Sequence, residues 1–427
     1  MVSSLAMRAT ETHRTIDAVW RIESARLIAA LTRLLRDVGL AEELAQDALV
    51  TALEQWPRSG IPDNPGAWLM ATAKHRAIDQ LRRRRMLSRK HEALGYELEM
   101  QQSDEGMLAA RAEEAVPDDL LRLMFIACHP LISTEARTAL TLKLLAGLTT
   151  TEIARAFLVP EATIAQRIVR AKRTLAAARV PFETVPREQL GERLSSVMEV
   201  IYLVFNEGYS ATGGDDWIRQ AMCEEALRLG RMLAELAPLE PEVHGLVALM
   251  EIQASRLNAR VADNGEPILL MQQNRALWDR TLIHRGLLAL ARGEALGQRR
   301  GPYLLQAAIA ACHGRAATAA ETDWVLITAL YDELARLSPS PVVELNRAVA
   351  VSMAYGPAAG LELTDRLAAQ GSLHSYHLLP SVRGDLLVKL GRYQEARGEF
   401  ERAATLTQNR RESRLLLDRA AACGSGL

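Results

Sequence analysis

The sequence predicts an all-α fold for this chain of 427 residues. Apolar residues recur at intervals of three and four almost throughout, which is the period of an amphipathic helix. Ala, Leu, Arg and Glu dominate the composition, and the β-branched runs that are typical of strands are scarce. Both observations indicate helices packed on helices rather than a sheet.

Breaker residues divide the N-terminal part into separate helices. Pro57, Gly60 and Pro62 indicate a loop, Pro130 ends another helix, and Pro160 opens the last one, where a missing N–H costs little. The predicted helices span residues 17–37, 41–56, 64–85, 118–128, 135–147, 150–157 and 161–178.

The stretch between residues 91 and 117 has a different composition, because acidic residues, Gln, Ser and Gly replace the helical pattern. We therefore expect a flexible acidic linker at 91–117, joining small helical domains at 1–90 and 118–182. Two prolines near residues 180–187 mark a second boundary. A larger helical region is predicted to follow at 183–427.

Overall composition excludes several classes of protein. The chain has 51 Lys and Arg against 52 Asp and Glu, so its net charge is close to zero. Its basic residues matter through local clusters rather than through the charge of the whole chain. The four cysteines are scattered singly, which predicts no metal site, no disulfide framework and a reducing cytoplasm. The N-terminus lacks an apolar signal core, and we expect no membrane segment.

Two basic helices, about eighty residues apart, predict contact with two stretches of DNA. The first ends in an arginine run at 82–85. The second lies in the segment 148–175, whose layout is typical of a helix-turn-helix: Thr149 or Thr150 caps a short helix, and Ala154 lets the next helix cross closely. The spacing predicts that Ile153, Ala154 and Phe157 of the first helix and Ile164, Ile168 and Leu175 of the second face inward. The alternative for this segment is an ordinary helical hairpin with a solvated basic face.

The order of these motifs resembles a sigma factor of the extracytoplasmic-function class. In that family, region 2 contains one helix similar to AEELAQDALVTALEQW at 41–56 and a next helix similar to PGAWLMATAKHRAIDQLRRRR at 65–85. Region 4 is similar to residues 118–175. The resemblance implies a protein without catalytic activity or cofactor that binds core RNA polymerase, through the β′ clamp helices and the β flap, and promoter DNA.

The resemblance also assigns residues in region 2. The surface for the β′ clamp helices corresponds to Glu43, Gln46, Asp47, Thr51 and Glu54. The alternative is a merely solvated helix face. The part of the family that recognises the −10 element corresponds to the loop at 57–66 and the helix that follows it. Its DNA-binding residues correspond to Trp68, Lys74, His75, Arg76, Arg82, Arg83, Arg84 and Arg85.

Some of these positions carry a second expectation. Aromatic side chains at Trp56 and Trp68 are more typical of a core than of base stacking, and we expect core packing for both. Asp79 is expected to orient an arginine. His75 stands where many family members have Asn. Histidine donates and accepts hydrogen bonds in a different plane from asparagine, so the preferred base of the −10 element is left open.

In region 4 the resemblance places the −35 contacts on the second helix of the helix-turn-helix. The DNA-binding residues are Thr163, Gln166, Arg167, Val169, Arg170, Lys172 and Arg173. Of these, Gln166, Val169 and Arg170 are expected at bases, and Arg167, Lys172 and Arg173 at phosphates. Leu158 and Pro160 depart from the family's usual glycine turn and serine or threonine cap.

More than half of the chain follows region 4. Residues 384–406 resemble a tetratricopeptide repeat, with small and large residues at Gly384, Leu387, Gly391, Tyr393, Ala396, Phe400 and Ala403. The whole chain resembles a subgroup with a fused tetratricopeptide-like C-terminal domain. That resemblance implies regulation in cis, without a separate membrane anti-sigma factor.

The C-terminal region also contains side chains that an acid–base site would need, and a small ligand or a protein is a candidate partner. The candidate pocket residues are Asn206, Glu207, Tyr209, His313 and Asp323. No spacing among them specifies a metal or a nucleophile. Two other functions remain as alternatives: a helical scaffold with auxiliary nucleic-acid binding, and a ligand-sensing regulator that acts without binding core polymerase.

Overall fold

The computed structural model describes residues 2–92, 117–157, 159–178, 180, 182, 187–210, 213–214, 218–262, 266–297, 299–371 and 373–424. At 2–11, 84–85, 87–92, 117–118, 187–189 and 213–214 it describes the backbone only. The all-α prediction is confirmed, since the only strands in these described ranges are two parallel segments of two residues each. The chain forms two compact units, residues 1–200 and 201–427. The predicted acidic linker lies almost wholly outside the described residues.

Unit 1 contains the motifs predicted for regions 2 and 4. Its first three helices pack on one another, the four that follow pack on one another, and the first of those four also packs on the first helix. They are α1 (Val2–Leu35), α2 (Val38–Ser59), α3 (Pro65–Glu92), α4 (Pro117–Ala127), α5 (Thr134–Leu144), α6 (Thr150–Phe157) and α7 (Glu161–Ala177). The next helix, α8 (Arg187–Tyr209), crosses the division between the two units.

Two helix ends differ from the sequence-based prediction. Helix α1 begins at Val2 rather than at residue 17, because neither glycine nor proline interrupts the chain before Gly39. Helix α2 continues through Pro57 to Ser59, where the prediction had placed a loop. It ends at Gly60, whose φ of 89° is readily adopted only by glycine. Its start is capped by Asp37, which accepts bonds from the N–H groups of Gly39 and Leu40 at 2.9 and 3.1 Å.

Unit 2 is a succession of helices, most of which pack mainly on a neighbour in sequence. Its helices after α8 are α9 (Gln220–Leu236), α10 (Pro241–Ala254), α11 (Arg280–Ala295), α12 (Pro302–Arg315), α13 (Trp324–Leu337), α14 (Pro341–Tyr355), α15 (Pro357–Gln370), α16 (Leu378–Lys389), α17 (Tyr393–Leu406) and α18 (Arg410–Gly424). The strand β1 (Gly213–Gly214) pairs with β2 (Gln408–Asn409). Between α10 and α11 the chain runs through three short 3₁₀ turns.

The predicted repeat at 384–406 is a helical hairpin of α16 and α17. Phe400, only 1% exposed, lies directly over Gly384, where a Cβ would come within 2.6 Å of its ring. Ala396 and Ala403 are also buried, so α17 approaches α16 closely. Gly391, with φ of 73°, forms the turn between them. The hairpin is as expected, while its assignment as a tetratricopeptide repeat remains a prediction.

Candidate functional site

The outward face of α2 carries the residues predicted to contact polymerase. Alanines and one leucine at every third or fourth position of α2 are buried, which turns the polar positions between them outward. Glu43, Asp47 and Glu54 are exposed, and Gln46 and Thr51 are half-buried. The five side chains therefore share one face, as the sequence predicts.

Arg76 of α3 joins this face to the predicted DNA-binding residues. Its Nη1 lies 3.2 Å from Asp47 Oδ2, and its Nη2 donates to Thr51 Oγ1 at 2.7 Å. Because the Arg76 and Asp47 side chains are both about half exposed, the pair contributes at most about 1 kcal/mol. A phosphate can compete for the same guanidinium at little cost.

The two tryptophans have different surroundings. Trp56 is buried, which confirms the expectation of core packing, and Trp68 is half-buried. Their rings meet edge to face with centroids 5.3 Å apart. Trp68 thus belongs partly to the core and partly to the surface at the start of α3.

The remaining −10 residues follow α3 towards its C-terminal end. His75, Arg82 and Arg83 are exposed, and Lys74 is half-buried. Asp79 Oδ1 lies 4.0 Å from Arg82 Nη1, as expected of a carboxylate that orients an arginine. The side chains of Arg84 and Arg85 fall outside the described residues. Apart from Asp79, the charged side chains described on α3 from Lys74 to Arg83 are basic, which is the property needed to hold phosphates.

The helix-turn-helix begins with a capping box on α6. Thr149 Oγ1 accepts a bond from Glu152 N at 3.1 Å, and Glu152 Oε2 accepts from Thr149 N at 2.8 Å. Of the two predicted caps, Thr149 is the one used. The predicted inward positions Ile153, Ala154 and Ile164 are buried. Phe157 is only half-buried.

The turn between α6 and α7 closes without the residues that are usual in the family. Val159 N donates to Ala154 O at 3.1 Å, a bond that closes the end of α6. Pro160 precedes α7 and makes no side-chain cap, but Thr163 N donates to its carbonyl at 2.9 Å. Leu158 lies outside the described residues.

Helix α7 presents one exposed stripe. Gln166, Val169, Arg170 and Arg173 are exposed at the spacing i, i+3, i+4 and i+7, which places them on one side of the helix. Thr163 and Arg167 are half-buried beside them. Lys172 differs, because its ammonium pairs with the carboxylate of Glu42 on α2. In this arrangement Lys172 is not available for a phosphate.

Comparison with known proteins agrees with this geometry. Residues 21–86 match the model of Sigma-70 region 2, and residues 122–175 match that of Sigma-70 region 4. Residues 193–294 match a family of unknown function (DUF6596). An uncharacterised protein of Rhizobium meliloti (strain 1021) is 45% identical over 401 residues, which cover 92% of this chain and 93% of that protein.

The chain belongs to the sigma-70 family. It has the layout of an extracytoplasmic-function-like sigma factor, with regions 2 and 4 followed by a fused C-terminal domain. Sigma factors of this family bind RNA polymerase and promoter DNA and start transcription, and they are not enzymes. Among the described residues, no helix is long and apolar enough to cross a bilayer, and no cluster of His, Cys, Asp and Glu could hold a metal ion.

In the C-terminal part of the sigma factor, three of the five candidate pocket residues have surroundings of their own. Glu207 pairs with Arg219, and Asp323 caps α13 by accepting from Leu326 N at 2.9 Å. Asn206 is exposed. The two remaining residues, Tyr209 and His313, lie beside a group of arginines that the sequence interpretation missed.

These arginines lie in or next to the irregular segment between α10 and α11. The guanidinium of Arg260 lies 3.6 Å from the centroid of the Tyr209 ring, and Arg275 lies 4.8 Å from that of Trp278. Arg275 also donates to the carbonyls of His313 and Ala316 at 3.0 and 2.9 Å. These contacts tie the irregular segment to the end of α12. No periodic pattern in the sequence distinguishes these arginines. The only signal for them is an aromatic residue nearby in the chain, such as Trp278 near Arg275, because arginines often pack on aromatic rings.

His313 makes the stability of unit 2 depend on pH. Burial, together with Arg256 and Arg275, lowers its pKa to about 4. An unfolded histidine titrates near 6.5, so between these values the unfolded chain binds a proton that the folded chain does not. Stability is therefore full above pH 6.5 and falls as the pH drops towards 4. We expect a loss of about 2 kcal/mol from this residue at pH 5.

Denaturant unfolding followed at pH 7 and pH 5 measures this loss. His313→Gln is expected to remove most of the pH dependence that this residue causes. His374→Gln, which changes an exposed histidine, is the control and should retain it. If the free energy of unfolding depended equally on pH in the two variants, His313 would not be the source of the pH dependence.

Proposed function

We propose that the outer face of α2 binds the β′ clamp helices of RNA polymerase, and that region 4 also contacts the β flap. The exposed carboxylates of Glu43, Asp47 and Glu54 suit a partner helix rich in arginine. The half-buried Gln46 and Thr51 add hydrogen-bonding groups to the same face. This arrangement supports the residue assignment that the family resemblance implies.

Helix α3 and the loop before it are proposed to read and open the −10 element. Trp68 and His75 supply an aromatic ring and an exposed imidazole, which can stack on or hydrogen-bond to an unpaired base. Unpairing a base costs a few kcal/mol, which such contacts must offset. The basic side chains along α3, including Lys74, Arg76 and Arg82, would then hold the phosphates of the separated strands.

The stripe of Gln166, Val169, Arg170 and Arg173 on α7 is the observation that carries the proposed recognition of the −35 element. A recognition helix enters the major groove with one face, and these four residues form such a face. Gln166 and Arg170 can make bidentate bonds to base edges, and Val169 can contact a thymine methyl group. Arg173, one turn further along, would hold a phosphate.

The C-terminal unit is proposed to regulate the sigma factor in cis. Unit 2 has its own buried core along α10, α12 and α13 and a second core in the last helices, so it is more than an inert tail. Its resemblance to tetratricopeptide repeats favours a peptide or protein as the regulating partner. The arginine and aromatic residues near Tyr209 and His313 leave a small ligand as a second candidate.

Transcription by the full-length chain and by a chain that ends after Val200 tests this proposal. The end at Val200 is chosen because Ser196 of α8 donates to Cys128 O at 2.7 Å and accepts from Arg137 at 2.6 Å, so truncation near residue 185 would remove contacts within unit 1. We expect both chains to bind core polymerase. Promoter-specific transcription should differ between them by about 5- to 150-fold, the range of an ordinary coupling energy.

The two parts of the proposal fail in different ways. Equal transcription by both chains, mapped on the same promoters, would reject regulation in cis. Promoter binding by a full-length chain that never binds core polymerase would favour a regulator of the ligand-sensing class. Circular dichroism of the shorter chain is the control for its folding.

A further inference from the structure

Unit 2 contains two arginines whose hydrogen bonds, in the part of the chain that the structure describes, reach only neutral acceptors. Arg275 is 4% exposed, and it donates to two backbone carbonyls and, at 2.8 Å, to Thr322 Oγ1. Arg256 is half-buried, and it donates to Gln253 Oε1 at 3.2 Å and to Gln273 Oε1 at 3.4 Å. Neither guanidinium is paired with a carboxylate of the described residues.

Trp278 brings these two guanidinium groups together. Its ring centroid lies 4.8 Å from the guanidinium of Arg275 and 5.5 Å from that of Arg256. Burial and then Arg256 lower the pKa of Arg275, and the exposed Glu321 opposes them only in part. Two like charges are therefore held around one ring. This arrangement costs free energy unless a negative charge lies close to both.

Three buried polar atoms of the same group have no hydrogen-bond partner among the described residues. They are Nε of Arg275, Nε1 of Trp278 and Nδ1 of His313. The Trp278 and His313 side chains are only 2% and 8% exposed. Arg275 contacts both of these residues, since it packs on the Trp278 ring and donates to the carbonyl of His313 at 3.0 Å. Nε of Arg275 and Nε1 of Trp278 can only donate, so the group has more donors than acceptors.

An oxyanion matches this shortage of acceptors. A water molecule brings donors as well as acceptors, and it brings no charge. A carboxylate brings one negative charge, whereas a phosphate group carries about −1.5 to −2 at pH 7 and has three strong acceptor oxygens. Two guanidinium charges and the unpartnered donors therefore fit a phosphate group in both charge and hydrogen bonding.

We propose that Arg256, Arg275, Trp278 and His313 form a binding site for the phosphate group of a small molecule. The ligand approaches past Arg256, which is half-buried, and its phosphate binds between the two guanidinium groups. The half-buried ring of Tyr209, whose centroid lies 5.9 Å from the guanidinium of Arg256, packs on the rest of the ligand. That this ligand is the signal for unit 2 rests on the proposed regulation in cis.

Calorimetric titration of the full-length chain with inorganic phosphate tests the site. We expect one phosphate per chain in about 0.5 M potassium chloride, which screens the exposed charges of α3 and α7 far more than buried ones. Phenyl phosphate is the second compound, because a phosphate ester has a body to pack on Tyr209 and the free ion has none. The tighter of the two identifies the source of the phosphate group. Benzoate, a carboxylate with the same ring, should bind about tenfold more weakly than phenyl phosphate or worse.

Variants of Arg256 locate the binding. Arg256→Gln should weaken phosphate binding by about 10- to 150-fold, the effect of losing one hydrogen-bonded charge. Arg256→Lys keeps the charge without the planar fork, so its affinity should lie between those of Arg256→Gln and the unmodified chain. It also serves as the test if Arg256→Gln fails to fold, which circular dichroism reports. Arg292→Gln makes the same charge change at an exposed position of α11 and should bind phosphate normally.

Three results would each overturn the site: no binding of either phosphate compound, equally tight binding of benzoate, or normal phosphate binding by the folded Arg256 variants. None of these measurements involves polymerase or DNA. They therefore stand apart from the comparison of full-length and shortened chains, which tests regulation in cis.

Transcription by the holoenzyme tests whether unit 2 uses this ligand as its signal. The tighter-binding phosphate compound should change promoter-specific transcription by the unmodified chain. The Arg256→Gln chain should not respond at the same concentration, and the Arg292→Gln chain should respond normally. An equal response of the Arg256→Gln chain would place the effect elsewhere and contradict a signal read at this site.

Discussion

Gly384→Val is expected to destabilise unit 2 by about 3 kcal/mol. A Cβ at residue 384 would lie 2.6, 2.8 and 2.9 Å from three atoms of the Phe400 ring. The ring is 1% exposed and packs among the buried side chains of α16, α17 and α18, so moving it would disturb the packing of all three helices. Helices α16 and α17 must therefore separate to admit the valine, and the core of the last hairpin loosens.

Chemical denaturation of the full-length chain, followed by circular dichroism, measures the effect of Gly384→Val. Gly398→Ala is the matched control in the same hairpin. Gly398 is exposed on α17, and a Cβ there meets nothing within 4 Å. Alanine favours the helix over glycine, so this variant should be more stable by about 0.5–1 kcal/mol. Destabilisation of similar size in both variants would mean that the hairpin is not packed as described.

Arg170→Ala is expected to reduce discrimination at one position of the −35 element by about 1–3 kcal/mol, which corresponds to roughly 5- to 150-fold. Arg170 is exposed in the middle of the stripe on α7, between Gln166 and Arg173. A bidentate contact of its guanidinium with a guanine reads the base, so its loss affects the cognate sequence more than others. Loss of a phosphate contact would weaken all sequences equally.

Transcription by the holoenzyme from promoters that differ at single −35 positions distinguishes these outcomes. Arg155→Ala removes the same charge from an exposed site on α6, outside the recognition helix. It should leave the ranking of the promoters unchanged. An Arg170→Ala variant with the same ranking as the unmodified chain would show that Arg170 holds a phosphate rather than a base.

Local patterns predicted much of the fold. The seven N-terminal helices are present because periodicity, proline and glycine act within a few residues of one another. The buried positions Ile153, Ala154 and Ile164 of the helix-turn-helix followed from the same spacing. The early start of α1 and the inclusion of Pro57 in α2 were missed, because propensities define helix ends poorly.

Contacts between distant residues could not be predicted in this way. Glu42 and Glu43 are identical in type and adjacent in sequence, yet one is buried between two lysines and the other is exposed. Lys172 was predicted to contact a phosphate, but the fold brings it to Glu42, which is distant in sequence, and the two side chains pair. Arg275 likewise reaches carbonyls about forty residues away, across an irregular segment.

The sequence by itself determined the all-α class, the positions of regions 2 and 4, and which faces of α2 and α7 are polar. These properties depend on short-range periodicity and on motifs whose order is visible in the chain. Only the tertiary structure decided which charged residues are available to partners and which are paired inside the protein. Pairing depends on the three-dimensional proximity of residues up to about 130 positions apart, and the energy of a charge depends on its burial.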